Sequence, residues 1–292
     1  MDDSFDNQDD SLEGLIERAK KGDEDAQFEL GLYYFYEEGD DESNVAEGIK
    51  WLTKAAEQGH SFAQYHLGSF YHDGEGVEKD LEQGIMWLTK AAEQGEPWAQ
   101  GSLGLYYMCD DEGVKLDYEQ AIKWLTKAAE QDDSCAQCNL GQCYRDGDGV
   151  KQDYEQAIKW FVKSAEQDFP YAKCNLGECY LKGWGVEQDY KQAIKWLTKA
   201  VKQGCELAQC KLGVCYRDGD GVKQDYKRAV ELFVRSANQG FDEAQYNLGE
   251  CYEQGWGVKQ DFEQAREWYT KAAEQGYKEA KDKLCQLDSK TA

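Results

Sequence analysis

The chain has 292 residues, 58 Asp plus Glu against 33 Lys plus Arg for a net charge of −25, 41% hydrophobic residues and 2 prolines. That apolar share is enough to bury a core. The carboxylate excess argues against nucleic acid or an anionic membrane as partner, because both are bound through Lys and Arg.

In chain order, residues 1–10 read as a solvated acidic tail, and residues 1–42 hold 16 acidic and 3 basic side chains. Such a local field attracts a basic partner and is weakened by salt. The start Met1-Asp2-Asp3-Ser4-Phe5-Asp6 has neither the basic nor the apolar stretch of a signal peptide, and no 18-residue apolar run follows, so a cytoplasmic location is expected. A capping helix is expected near 11–21. From there a Leu-Gly pair recurs every 36 or 37 residues: Leu30-Gly31, Leu67-Gly68, Leu103-Gly104, Leu140-Gly141, Leu176-Gly177, Leu212-Gly213 and Leu248-Gly249. Around each marker glycine an alanine stands five before (Ala26, Ala63 and their equivalents) and a tyrosine three after (Tyr34, Tyr71 and theirs), so Ala, Leu and Tyr fall at successive i+4 steps on one helical stripe. A glycine-bearing turn such as Asp146-Gly147-Asp148-Gly149-Val150 ends this first helix. A second helix with Trp51, Trp87, Trp124, Trp160, Trp196, Leu232 or Trp268 as its large residue then runs to a glycine, replaced twice by Asp132 and Asp168. A closing helix is expected near 278–288, sixteen in all. One helix pair cannot bury its apolar face alone, so the pairs must stack into an all-α, helix-turn-helix solenoid.

The pattern A-x-x-x-L-G-x-x-Y-x-x-G-x-G-V-x-x-D-x-x-x-A-x-x-W-x-x-x-A-A resembles the Sel-one-like repeat, a branch of the tetratricopeptide superfamily, over roughly residues 11–288. The first turn, Glu37 to Asn44, lacks the G-x-G, and the third carries Asp110-Asp111-Glu112-Gly113 with one extra residue. The resemblance implies a right-handed α/α superhelix with first helices on the concave side, and no single activity. The organisation expected is an acidic tail at 1–10, one solenoid domain at 11–288 and a tail at 289–292. In the second half, Gly-Trp-Gly turns at 183–185 and 255–257 alternate with Arg-Asp-Gly-Asp-Gly turns at 145–149 and 217–221, a 72-residue double repeat. Trp184 and Trp256 either fold over the neighbouring turn, the favoured reading, or meet a partner.

At 100° per residue, positions three before, one after and four after the marker glycine lie about 160° from the Ala/Leu stripe and face away from the inter-helix core. In the first three repeats this stripe includes Phe28, Leu32, Phe35, Tyr65, His72, Leu105 and Met108, and Phe62 and Trp98 broaden it. Clustered aromatics and Met beside an acidic field have the composition of a partner-binding surface with anchor residues; the alternative is that adjacent repeats bury them.

Eleven cysteines are present. Secreted cysteine-rich relatives carry a C-x7-C staple twelve and four residues before the marker glycine, where this chain has pairs such as Ala56 and Gln64 or Ala92 and Gln100. The thiols are therefore expected to be reduced, metal-free and mostly buried, with Cys135-x-x-Cys138 the only close pair. His60, His66 and His72 step by six, which spreads them around a helix. Asp146-Gly147-Asp148-Gly149 lacks the third oxygen ligand of a calcium loop. No S-x-x-K, H-E-x-x-H, P-loop or G-x-S-x-G occurs. The expected function is a non-catalytic scaffold without cofactor or metal, binding a protein or peptide, with a basic surface, in its concave groove. An acidic inhibitor or immunity protein that neutralises a toxin is the alternative.

Overall fold

The computed structural model describes residues 11–37, 42–109 and 115–291. The acidic tail, the first turn at 38–41 and the third turn at 110–114 lie outside the described residues. Among those described there are sixteen α-helices and no strand: α1 (Leu12–Lys20), α2 (Glu24–Leu32), α3 (Glu42–Gln58), α4 (Ser61–Asp73), α5 (Leu81–Glu93), α6 (Pro97–Tyr106), α7 (Tyr118–Glu130), α8 (Ser134–Asp146), α9 (Tyr154–Glu166), α10 (Pro170–Lys182), α11 (Tyr190–Lys202), α12 (Glu206–Asp218), α13 (Tyr226–Asn238), α14 (Asp242–Gln254), α15 (Phe262–Glu274) and α16 (Lys278–Thr291). The fold is an all-α solenoid of helix-turn-helix repeats, α2/α3 to α14/α15. The closing helix continues past residue 288, the end expected from the sequence. Contacts group into two units, one running to Cys143 and including Asp148–Lys151, the other comprising Tyr144–Gly147 and the chain from Gln152 onward.

The repeat motif has a physical reason at each position. The marker glycine makes room for the second helix: a Cβ on Gly104 would lie 2.5 Å from Leu125 Cγ, and one on Gly68 2.5 Å from Leu88 Cγ. Those leucines are fully buried. The turn aspartate caps the second helix. Asp189 Oδ1 accepts from the Gln192 N–H at 3.0 Å, while its own N–H donates to the Tyr180 carbonyl at 3.0 Å, and Asp80, Asp117, Asp153, Asp225 and Asp261 repeat both bonds. In the turn itself Gly185 has φ 67°, and a Cβ there would meet the Tyr154 carbonyl at 2.7 Å, so only glycine fits. Asp132 and Asp168 adopt φ 65° and 70° where the remaining repeats use glycine; the Asp168 side chain binds Lys173 and accepts from Gln203 Nε2 at 2.8 Å, which holds it in that conformation.

Where the cysteine-rich relatives have their staple, this chain forms a hydrogen bond. Gln64 Nε2 donates to the Ala56 carbonyl at 2.9 Å, Gln100 to Ala92 at 3.0 Å and Gln137 to Ala129 at 3.1 Å. The glutamine closing each second helix then reaches back to this glutamine on the first helix of its own repeat: Gln94 donates to Gln64 Oε1 at 2.8 Å and Gln131 to Gln100 Oε1 at 2.9 Å. The second unit repeats the link through Gln239–Gln209 and Gln275–Gln245, both 2.9 Å.

Candidate protein-binding face

The first helices of repeats one to three, α2, α4 and α6, bring most of the candidate residues onto one aromatic surface. The Phe28 ring stacks on His60 with centroids 4.5 Å apart, and Phe62 follows at 6.2 Å from Phe28. Trp98 lies 5.9 Å from Phe62 and 6.1 Å from Tyr65, both tilted. Exposure separates anchors from packing: Trp98 is 56% exposed and Phe62 39%, whereas Phe28, Leu32, Tyr65, His72, Leu105 and Met108 are half-buried. His72 stacks flat on Tyr106 at 3.8 Å, and Met108 sulfur lies 3.9 Å from the Cys143 thiol.

Phe35 departs from the exposed stripe expected of it. It is 7% exposed and stacks on Phe70 at 4.2 Å, in the core. The cause is a π-helical turn, Tyr33–Glu37, which follows α2 and winds more slowly than 100° per residue. The same turn puts Tyr36 on the surface, 58% exposed, next to Tyr65 and Glu75; burial of its hydroxyl and the Glu75 charge push its pKa up. Sequence reasoning missed Tyr36, because four consecutive aromatic positions give no sign of a π register. The wider expectation that the position three before the marker glycine is exposed also needs correction. Cys138, Cys174 and Cys210 are buried there, and Cys205 and Asn247 of the following repeat lie against Cys174 and Cys210.

Acidic and imidazole groups border the aromatic surface. His60 Nδ1 accepts from the Ala63 N–H at 3.2 Å, so its Nε2–H faces Asp25 Oδ1 at 3.2 Å. Burial lowers the pKa of His66. Glu96 caps α6 at 3.4 Å from the Trp98 N–H, and burial raises its pKa.

In the second unit several of the corresponding positions carry charged side chains that pair with one another. Arg145 donates to Asn175 Oδ1 at 3.0 Å and lies 3.7 Å from Glu178, which binds Lys211 at 2.8 Å. Two repeats on, Arg217 reaches Asn247 at 2.5 Å and Glu250 at 3.7 Å, and Glu250 binds Lys283 at 3.3 Å. A cavity of about 400 Å³ beside α10, α11 and α12 has the paired Glu178 and Lys211 in its wall. Trp184 and Trp256 stack on Tyr154 and Tyr226, each at 5.7 Å, so one face of each half-buried ring is covered by the preceding repeat.

The stacked helix pairs and their surface of side chains define a repeat protein. Residues 24–60, 61–96, 99–133, 136–169, 170–205, 207–241 and 242–277 match the Sel1 repeat, and the chain belongs to that family. It is similar to a protective antigen of uropathogenic Escherichia coli that displays an SLR fold, with 40% identity and a TM-score of 0.73. The match covers 97% of this chain and 60% of the antigen, so the chain spans well under two thirds of that protein's length. A Sel1 repeat protein of Oxalobacter formigenes is 33% identical over 94% of this chain and 90% of its own, with a TM-score of 0.68. An immunity protein of Pseudomonas aeruginosa, 19% identical with a TM-score of 0.51 over 73% of this chain and 81% of its own, shares the fold. No curated protein matches the chain. No helix among the described residues is long and apolar enough to cross a membrane.

Proposed function

We propose that the protein is a non-catalytic scaffold that binds a protein or peptide with a basic surface through the first-helix face of repeats one to three. Trp98 carries the reading. Trp51, Trp87, Trp124, Trp160, Trp196 and Trp268 each hold a lysine of this chain over the ring, with ammonium-to-centroid distances of 3.6–4.8 Å. Trp184 and Trp256 are half-buried, each with one face against a tyrosine. Trp98 is the exposed tryptophan among the described residues, framed by Phe62 and Tyr65 at its edges. An exposed indole is a strong site for a Lys or Arg side chain, and its area makes it a natural anchor at an interface. The net charge of −25 favours a cationic partner in the same way.

Phe62, Tyr65 and Tyr36 extend the contact surface, and half-buried Phe28, Leu32, His72, Leu105 and Met108 shape its floor. Phe35 supports this floor from the core and touches no partner. A photo-crosslinking amino acid at position 98 or 62, in cells that make the protein, should give one discrete adduct, and the same group at position 184 or 256 should give none. Adducts at 184 and 256 without any at 98 would overturn the assignment.

A further inference from the structure

The repeat geometry brings two cysteines together that lie 31 positions apart in sequence. In this fold the residue three before one marker glycine touches the residue eight before the next. Phe28 stacks on His60 in this way at 4.5 Å, and Tyr246 meets Tyr277 at 5.1 Å. A Cβ on Gly101 would lie 3.9 Å from Asp133 Cγ. Between repeats five and six the two positions are Cys174 and Cys205, which share one packed cluster, 0% and 4% exposed. A Cβ and a γ atom that close are near the spacing a disulfide needs.

Position also gives the two sulfurs different chemistry. Cys205 is the N-cap of α12, a place held in other repeats by the carboxylates of Asp23, Glu96 and Asp133, which accept helix N–H groups at 2.9, 3.4 and 2.6 Å. A helix N-terminus favours an anion and activates a thiolate. The hydrogen bond from the Cys174 thiol lowers the pKa of Cys205 and raises that of Cys174, so the proton stays on Cys174. Cys205 follows exposed Gly204, which places it just beneath the surface, whereas Cys174 lies in the middle of α10.

We propose that Cys174 and Cys205 form an oxidisable pair, closed by hydrogen peroxide to a disulfide between repeats five and six, with Cys205 attacking and Cys174 resolving. The Cys205 thiolate attacks one peroxide oxygen, the O–O bond breaks, and the departing hydroxide takes up a proton to leave as water. Cys205 is then a sulfenic acid, oxidised by two electrons. Cys174 loses its proton as its sulfur attacks the Cys205 sulfur, and the displaced hydroxide leaves as a second water. Two thiols and one peroxide thus give one disulfide and two waters, and a dithiol reductant reverses the closure. The bond ties α10 to the start of α12.

The test uses the full chain with exposed Cys109 and Cys285 replaced by serine, to prevent links between molecules. After peroxide, alkylation and trypsin, the peptides 174–182 and 203–211 should appear joined, with fragment spectra placing the link at Cys174–Cys205 and not at Cys179 or Cys210. The melting temperature should rise by about 5–10 °C and fall back with dithiothreitol. C205S should lose the link and slow peroxide-dependent thiol loss, while C179S should keep both. In untreated protein, iodoacetamide at pH 7 should label Cys205 faster than Cys174, a readout that needs no variant to fold. A link at another pair, no link at all, or unchanged thiol loss in C205S would overturn the proposal.

Discussion

Single residues show how little of each repeat is interchangeable. Gln100, 3% exposed, donates to the Ala92 carbonyl and accepts from Gln131, so Gln100→Leu removes two buried hydrogen bonds and leaves the Ala92 carbonyl and the Gln131 amide with one partner each, the Gly95 N–H and the Gly95 carbonyl. That change should cost about 1–3 kcal/mol by chemical denaturation, whereas Gln131→Ala, at an exposed helix end, should cost less than about 1 kcal/mol. Equal losses would show that the Gln100–Ala92 bond, which joins one repeat to the next, contributes nothing beyond its packing. His66 gives a pH dependence of definite sign. Burial lowers its folded pKa below the ordinary histidine value, so the unfolded chain binds the proton first as pH falls. The stabilisation from neutral His66 is complete above the ordinary value and lost as pH drops through the lowered one. The stability gap between wild type and H66Q should therefore shrink from pH 7.5 to pH 5.5 in thermal melts, and a constant gap would contradict it.

At the scale of elements, what the sequence made legible is what lies within one repeat. Helix ends followed from the turn glycines, since that signal acts over three or four residues, and the Asp189-type cap that starts each second helix is equally local although it was not read from the sequence. The marker glycine follows the same logic and carries a prediction. Gly104→Ala would gain up to about 1 kcal/mol in helix propensity, but its Cβ would sit 2.5 Å from Leu125 Cγ and 3.1 Å from Leu125 N, which cannot retreat. The net effect should be a loss of about 1–2 kcal/mol, partly recovered by adding Leu125→Ala; strictly additive losses in a double-mutant cycle would refute the contact. Contacts between repeats were not legible. The 100° rotation placed Phe28, Cys174 and Tyr246 away from their own partner helix and was silent on the repeat that follows. The Cys174–Cys205 approach and the bond from Gln64 to the Ala56 carbonyl arise there. Phe35 was misplaced for a different reason, because the π turn breaks the rotation on which the stripe was drawn.

For the whole molecule, the two ends of the array divide the chemistry. In repeats four to seven, charged first-helix side chains pair with one another in two clusters, Arg145–Glu178–Lys211 and Arg217–Glu250 with Lys283 of the closing helix. The aromatic face in repeats one to three offers an exposed indole inside a strongly acidic chain. Such a charge steers association, so raising salt from 50 to 300 mM should slow partner association more than it speeds dissociation in surface-binding kinetics. The most direct measurement is partner affinity for wild type, W98A and W256A, each checked for folding by circular dichroism. W98A should weaken binding by about 2 kcal/mol or more, roughly 30-fold, mainly through faster dissociation, while W256A stays near wild type. Unchanged affinity in W98A, or a loss confined to W256A, would contradict binding at the aromatic face of repeats one to three.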